Sequence, residues 1–239
     1  PHTGRRTGPR AGWRCPNEND FSNWVILGHH FRSEVLLLGV DLPDEMDAPL
    51  PAPSGKAVWY SFGTLVANAA ARTLQIDPSE LKTGVRSVRR GRGRLHGEVF
   101  LYDDVPGGAG YARAIQANLE EILQCALDLG HNCDNPDCSG ACYHCLLDYR
   151  NQNVHRFLDR QLGVAVLEFL LQGTRPSLEQ EQIDQCAAAL LEYVKNGWRV
   201  EPGGVFDGRY IPRILERSEE RIALWVIHPL EAPPSPQLR

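Results

Sequence analysis

Four cysteines lie within thirteen residues, Cys133, Cys138, Cys142 and Cys145, spaced Cys-x4-Cys-x3-Cys-x2-Cys. No other feature restricts the chain as much. The chain has seven Cys in all, an odd number, so internal disulfides cannot pair every thiol. In an intracellular setting such crowding reads as metal binding rather than cross-linking. Four thiolates complete the tetrahedral shell of a structural Zn2+ and leave no open position for a reactive water. Asp134-Asn135-Pro136-Asp137 and Ser139-Gly140 can turn the chain between ligands. Cys142 and Cys145, at i and i+3, would share one face at the start of a following helix over 142–149. An iron–sulfur cluster is the alternative cofactor, since it also takes four Cys. Unrelated thiols or a pair of disulfides are the bland readings. His131 and His144 stand close by, but four Cys leave them no vacancy. Cys125 and Cys186 fall in apolar helical stretches and read as small core residues, and Cys15 has no visible partner.

The rest of the chain is ordinary in bulk and uneven in charge. Its 239 residues, 42% hydrophobic and 23% charged, can bury a core, and no apolar run is long enough to span a bilayer. The net charge is −5, yet residues 1–14 carry four Arg and residues 82–94 carry one Lys and five Arg, with no acid in either. The remainder holds 15 bases against 30 acids. The body is acidic, with two basic segments attached. The sequence begins at Pro1 without Met and reads as a fragment or one domain of a longer protein.

Local pattern predicts strands at Trp24–Leu27 and Glu34–Val40, a Pro-rich loop at 42–55 and a helix from Ala57 to Leu74. Val85–Val88 and Leu95–Tyr102 form an expected hairpin around Arg89-Arg90-Gly91-Arg92-Gly93. A glycine turn at 106–110 opens a helix to about Leu129. Helices are expected at 154–171 and 178–195, and strands at Tyr210–Leu215 and Ile222–Ile227. The fold class is α+β: a mixed or antiparallel sheet packed by helices, with the four-cysteine loop between two helices. Residues 1–22 read as linker, 23–173 as the zinc-binding domain, and 174–239 as a C-terminal α/β extension.

Several constellations are weaker. Pro106-Gly107-Gly108-Ala109-Gly110-Tyr111 could meet a phosphate at a helix start, or be only a demanding turn. Asp44-Glu45-Met46-Asp47 spells a helicase-motor box but sits in the Pro-rich loop without a phosphate loop upstream, so it reads as chance. The hairpin residues Arg86, Arg89, Arg90, Arg92 and Arg94 could reach nucleic-acid phosphates, although no aromatic residue interleaves them. His29 or His30, Ser33 and Glu34 lie too near one another in sequence for a hydrolytic triad. Asn151, Gln152, Asn153, His155, Asp159 and Arg160 read as hydrogen-bonding scaffold, with Asn153 as a helix cap. Asp207 and Glu216 lack the Lys of a nuclease site. No catalytic residue is assigned.

Together four stretches resemble the MZB domain, the MrfA-type zinc-binding family. They are Gly28-His29 with Ser33-Glu34-Val35-Leu36; Leu101-Tyr102-Asp103 with Pro106–Tyr111; the four Cys; and Cys145-Leu146, Tyr149, Asn151-Gln152, His155 and Leu158-Asp159-Arg160. The likeness covers about residues 24–172 and departs at Glu34, where the family usually has Asp. The resemblance implies an accessory domain of superfamily-two DEAD/DEAH-type DNA helicases, acting in DNA repair or phage defence. Its implied partners are DNA and helicase motor domains in cis, or a helicase subunit in trans, with no membrane, and its implied location is the bacterial cytoplasm. The other implied role is a motor-less interaction subunit of a multi-component defence complex.

Overall fold

A computed structural model describes residues 32–90, 94–105, 107–194, 196–206 and 208–233, without the side chains of Arg90 and Arg94. The expected linker at 1–22, the strand at 24–27, Cys15, His29, His30, Arg92 and Asp207 lie outside the described residues. The described residues, from Arg32 to Pro233, fall in one compact unit.

The organising element is α1, Pro53–Thr73. Its apolar residues are not confined to one stripe. Trp59, Phe62, Leu65, Val66 and Ala69 are all buried, which is the signature of a helix enclosed on several sides. Trp59 and Gly63, one turn apart, meet a sheet of β1 (Val35–Gly39), β2 (Leu81–Arg90) and β3 (Arg94–Asp103). This sheet is antiparallel in the order β1-β3-β2. Ser61 and Leu65, on the opposite side of α1, meet α4 (Arg160–Gln172) and α3 (Leu119–His131). Val99 and Leu101 of β3, Ile122 and Ala126 of α3, and Val166 and Leu167 of α4 complete the core.

Trp59 fixes the register of α1 on the sheet. Its ring is fully buried, and its indole N–H donates to the Ala48 carbonyl at 2.7 Å. The ring lies against Gly97, where a methyl group would fall inside the indole. The hairpin is longer than its sequence pattern predicts: Leu81–Arg90 pairs with Arg94–Asp103 over its whole length, with Thr83 opposite Leu101 and Val85 opposite Val99. The expected helix from the glycine turn is split into α2 (Tyr111–Ala117) and α3 at Asn118. The Asn118 side-chain amide and backbone N–H both turn back to the Ala114 carbonyl there.

The predicted helix over 142–149 is absent, and that over 154–171 begins only at Arg160. Cys142 to Leu147 forms tight turns, with the amides of Cys145, Leu146 and Leu147 all directed at the Cys142 carbonyl. Short 3-10 turns follow at Tyr149–Asn151 and His155–Phe157. Asp159, not Asn153, caps α4, accepting the Gln161 amide at 3.0 Å.

After α4, α5 (Gln180–Val194) packs on an antiparallel sheet of β4 (Arg199–Phe206), β5 (Arg209–Arg217) and β6 (Glu220–Leu224). The sequence pattern does not predict β4, because Pro202, Gly203 and Gly204 interrupt it. Cys186 is exposed on α5, which corrects its reading as a core residue. The chain then returns: Asp47 donates its amide to Leu230, Ala232 donates to Glu45, and Leu230 enters the main core. The Asp44–Asp47 stretch therefore serves as a docking turn for the returning tail.

Two substitutions test this packing by urea denaturation. Gly97→Ala should cost about 1–3 kcal/mol, because the hydrogen-bonded Trp59 ring cannot yield. Asp103→Ala should cost about 3 kcal/mol, because it strands three amides on a fully buried carboxylate's former site. Wild-type midpoints for both would contradict the packing described.

Candidate metal centre

The four thiols predicted from spacing converge. The sulfurs of Cys133, Cys138, Cys142 and Cys145 all lie within 4.8 Å of one another. Cys133 and Cys142 are 3.6 Å apart, and Cys145 is 3.8 Å from both Cys138 and Cys142. Thiolates at ~2.3 Å around one tetrahedral ion stand ~3.8 Å from each other, so the cluster has the dimensions of a mononuclear four-sulfur site. An iron–sulfur cluster would put iron and sulfide atoms between the thiolates and spread them further. Thiol chemistry and spacing together suit zinc.

The surroundings hold these positions from three sides. The Asn68 side chain on α1 donates to the Cys145 carbonyl at 3.2 Å. Arg160, opening α4, donates through Nη1 to the last turn of α3 at Gly130 (2.8 Å) and through its amide to Gly140 (2.9 Å). Downstream, Asn151 accepts the Asp148 amide, receives His155 Nε2 at 2.7 Å and donates to Leu146 at 2.8 Å. Asp159 donates its amide to Ser61 on α1 at 2.8 Å. The Asn151, His155, Asp159 and Arg160 scaffold expected from sequence is thus a frame around the Cys loop.

The thiols are electrostatically linked. Burial acts to raise Cys142, but hydrogen bonds from the His144 backbone and the other three thiols outweigh it and draw Cys142 down to about 6. Burial pushes Cys145 up to about 12. At Cys133 a hydrogen bond with the Asn135 backbone lowers the thiol, while burial and interaction with Cys142 and Cys138 leave it raised. Cys142 therefore ionises readily while Cys133 and Cys145 hold their protons, and a cation binding here must displace those protons. His131 is turned to Glu168 on α4 at 3.3 Å and takes no part in the cluster.

The other candidates are accounted for differently. The glycine turn does present three amides at a helix start, but Asp103 already occupies them. Its Oδ2 accepts from Ala109, Gly110 and Tyr111 at 2.6, 2.8 and 3.2 Å. An internal carboxylate thus takes the place a phosphate would have, and the positive φ of Gly107, Gly108 and Gly110 serves this closure. Sequence reasoning misses this role for Asp103, although an acid before a glycine turn is its visible trace. Ser33 donates to the Asp103 carbonyl at 3.0 Å and Glu34 pairs with Arg113, so neither belongs to a hydrolytic set. Glu216 pairs with Arg221 at 3.0 Å. In the basic hairpin, Arg86 is bound to Glu98 through Nε at 2.6 Å. Arg89 is exposed, and Arg92 with the side chains of Arg90 and Arg94 lies outside the described residues.

Comparison with known proteins agrees with the thiol geometry. Druantia protein DruE of Escherichia coli is 33% identical over 184 residues, covering 70% of this chain and 10% of that protein. Uncharacterized protein MJ1572.1 of Methanocaldococcus jannaschii is 32% identical over 73 residues, covering 30% of this chain and 62% of that protein. The chain thus spans about a tenth of the length of the first relative. A crystal structure of the DUF1998 helicase MrfA bound to DNA aligns with a TM-score of 0.40 at 17% identity, over 56% of this chain and 16% of that one. The family model of the MrfA Zn-binding domain, MZB, matches residues 62–146, from the middle of α1 through the last of the four cysteines. The four sulfurs gather inside that span, so this part of the chain is similar to the MrfA Zn-binding domain and carries four cysteines suited to one Zn2+.

Proposed function

We propose that the chain is a non-catalytic accessory domain of a superfamily-two DNA helicase or helicase-associated protein, in which Cys133, Cys138, Cys142 and Cys145 bind one Zn2+ and hold a surface used along the DNA path. The observation that carries this is the closed four-sulfur cluster inside the family-matched span. A closed shell offers no site for substrate, so the ion's contribution is to folding. Its chemistry is to neutralise thiolates that would otherwise repel, and the chain's part is to orient them with Asn68, Arg160 and the Asn151 frame. The basic hairpin, with Arg89 exposed and Arg90, Arg92 and Arg94 following it in the sequence, is the proposed phosphate-binding element. Arg86 contributes least, since Glu98 holds it. The domain is proposed to run from about 23 to 173, with 174–239 as an extension, and to support unwinding in repair or defence.

A protein-docking role has one observation in its favour. Val35 and Leu37, 51% and 45% exposed, lie on the sheet face opposite α1. Docking onto a motor lobe would cover them, and a motor-less subunit would use the same face.

Two measurements test the proposal. Purified chain should carry one zinc per molecule, and chelation or the Cys133→Ser and Cys145→Ser changes should lower the Tm by about 10 °C or more. An unchanged Tm without zinc would refute a structural ion. Replacing Arg89, Arg90 and Arg92 together with Ala should flatten the dependence of DNA affinity on salt by about one unit for each phosphate no longer engaged. An unchanged slope would remove the hairpin from the interface.

A further inference from the structure

A groove of about 630 Å³ runs between α1, the β2 edge and the turns that follow the cysteines. One wall is a single stripe of α1, with Tyr60, Thr64 and Asn68 at helical spacing. The second wall is β2 from Lys82 to Val85, with the Phe100 ring lying over Gly84. The third is the loop bearing Tyr143, Arg150 and Asn153. Beyond Tyr60 the Phe157 ring continues the surface, stacked on Tyr60 at 6.0 Å between centroids and 16° between planes. Lys56, one turn before Tyr60, and Arg156 lie 5.5 and 4.7 Å from the Phe157 ring centroid. From Lys56 to Asn68 this wall extends ~18 Å.

The side chains alternate in a way the hairpin does not. Aromatic rings at 60, 143 and 157 are interleaved with cations at 56, 82, 150 and 156. Lys82 and Arg150 are balanced by Asp104 (3.3 Å) and Asp148 (2.8 Å), which fix their positions. Lys56 and Arg156 have no ion-pair partner among the described residues, so their charge is available to an anion. Tyr143 is 68% exposed and rests edge-on against His155, which is itself fixed by Asn151. Ring faces and unpaired cations along an open groove suit a strand whose bases are unstacked and whose phosphates follow the cations. A duplex keeps its base faces hidden and offers the rings nothing.

We propose that this groove binds single-stranded DNA, bases against Tyr143 and Tyr60 and phosphates toward Lys56 and Arg156. The inference rests on the DNA-path reading above and deepens it by assigning the strand a second site, distinct from the hairpin. It also gives the metal a task in recognition. The third wall is the segment that the thiol cluster begins, and Cys145 and Leu146 line the groove themselves.

The test is fluorescence anisotropy of a labelled oligothymidylate with the zinc-loaded 239-residue chain, titrated at several salt concentrations. Tyr143→Ala should weaken binding about tenfold, and Tyr143→Phe, which keeps the ring, should restore it. Joint replacement of Lys56 and Arg156 by Ala should weaken binding and reduce the salt slope by about one to two. Zinc content and circular dichroism of each variant establish that it is folded. If these folded variants bind as the wild type does, while the hairpin variant loses affinity, the groove assignment falls and the DNA-path reading stands. If the zinc-loaded wild type does not bind the oligonucleotide, both fall.

Discussion

Four thiol sulfurs within 4.8 Å of one another are a poor arrangement for a bare chain. As thiols they gain only weak hydrogen bonds, and as thiolates they repel. The arrangement becomes favourable when one cation sits among them, and much of the surrounding structure is built on that exchange. From Asn132 to Asp159 the backbone has no α-helix or strand, only turns and two short 3-10 segments. Leu146 and Leu158 are the large apolar side chains that this stretch buries fully or nearly so. A loop of this length with so small a core contribution needs another tether, and four thiols placed to share one cation are suited to supply it.

The tether matters because the loop joins elements distant in sequence. Asn68 grips it from α1, Arg160 spans it from α4 to α3, and Ser61 receives the amide of Asp159 just before α4. These hydrogen bonds place the loop across the buried central helix, so ordering the loop also orders the α1, α3 and α4 packing. The same placement leaves the turns after Cys142 as one wall of the groove beside β2. The thiol cluster, the helical core and the proposed nucleic-acid surface are joined in this way. The glycine turn belongs to a second, metal-free tether, in which the buried Asp103 carboxylate holds the start of α2 against β3.

The cysteine set is legible in the sequence because a metal shell is local: spacing and residue type alone state it. The long hairpin and α1 are legible for a similar reason, since period-two and helical patterns survive without tertiary context. Helix ends in the Cys loop are not. The stretch 142–149 has helical composition, yet three amides converge on the Cys142 carbonyl and the chain turns instead of continuing. Asn153 looks like a cap because it precedes an apolar run, whereas Asp159 takes that role beside Ser61. The groove is invisible for a different reason. Its rings come from α1 and the Cys loop, and no short linear window contains them together. Charge counting points instead to the hairpin, where Arg residues are dense in sequence but Arg86 is spent on Glu98.

Zinc K-edge X-ray absorption of the purified chain addresses the central claim most directly. The account predicts a first shell of four sulfurs at ~2.3 Å, with no nitrogen or oxygen neighbour and no second metal. A shell containing light-atom ligands, or a protein that binds iron and sulfide in place of zinc, would contradict it.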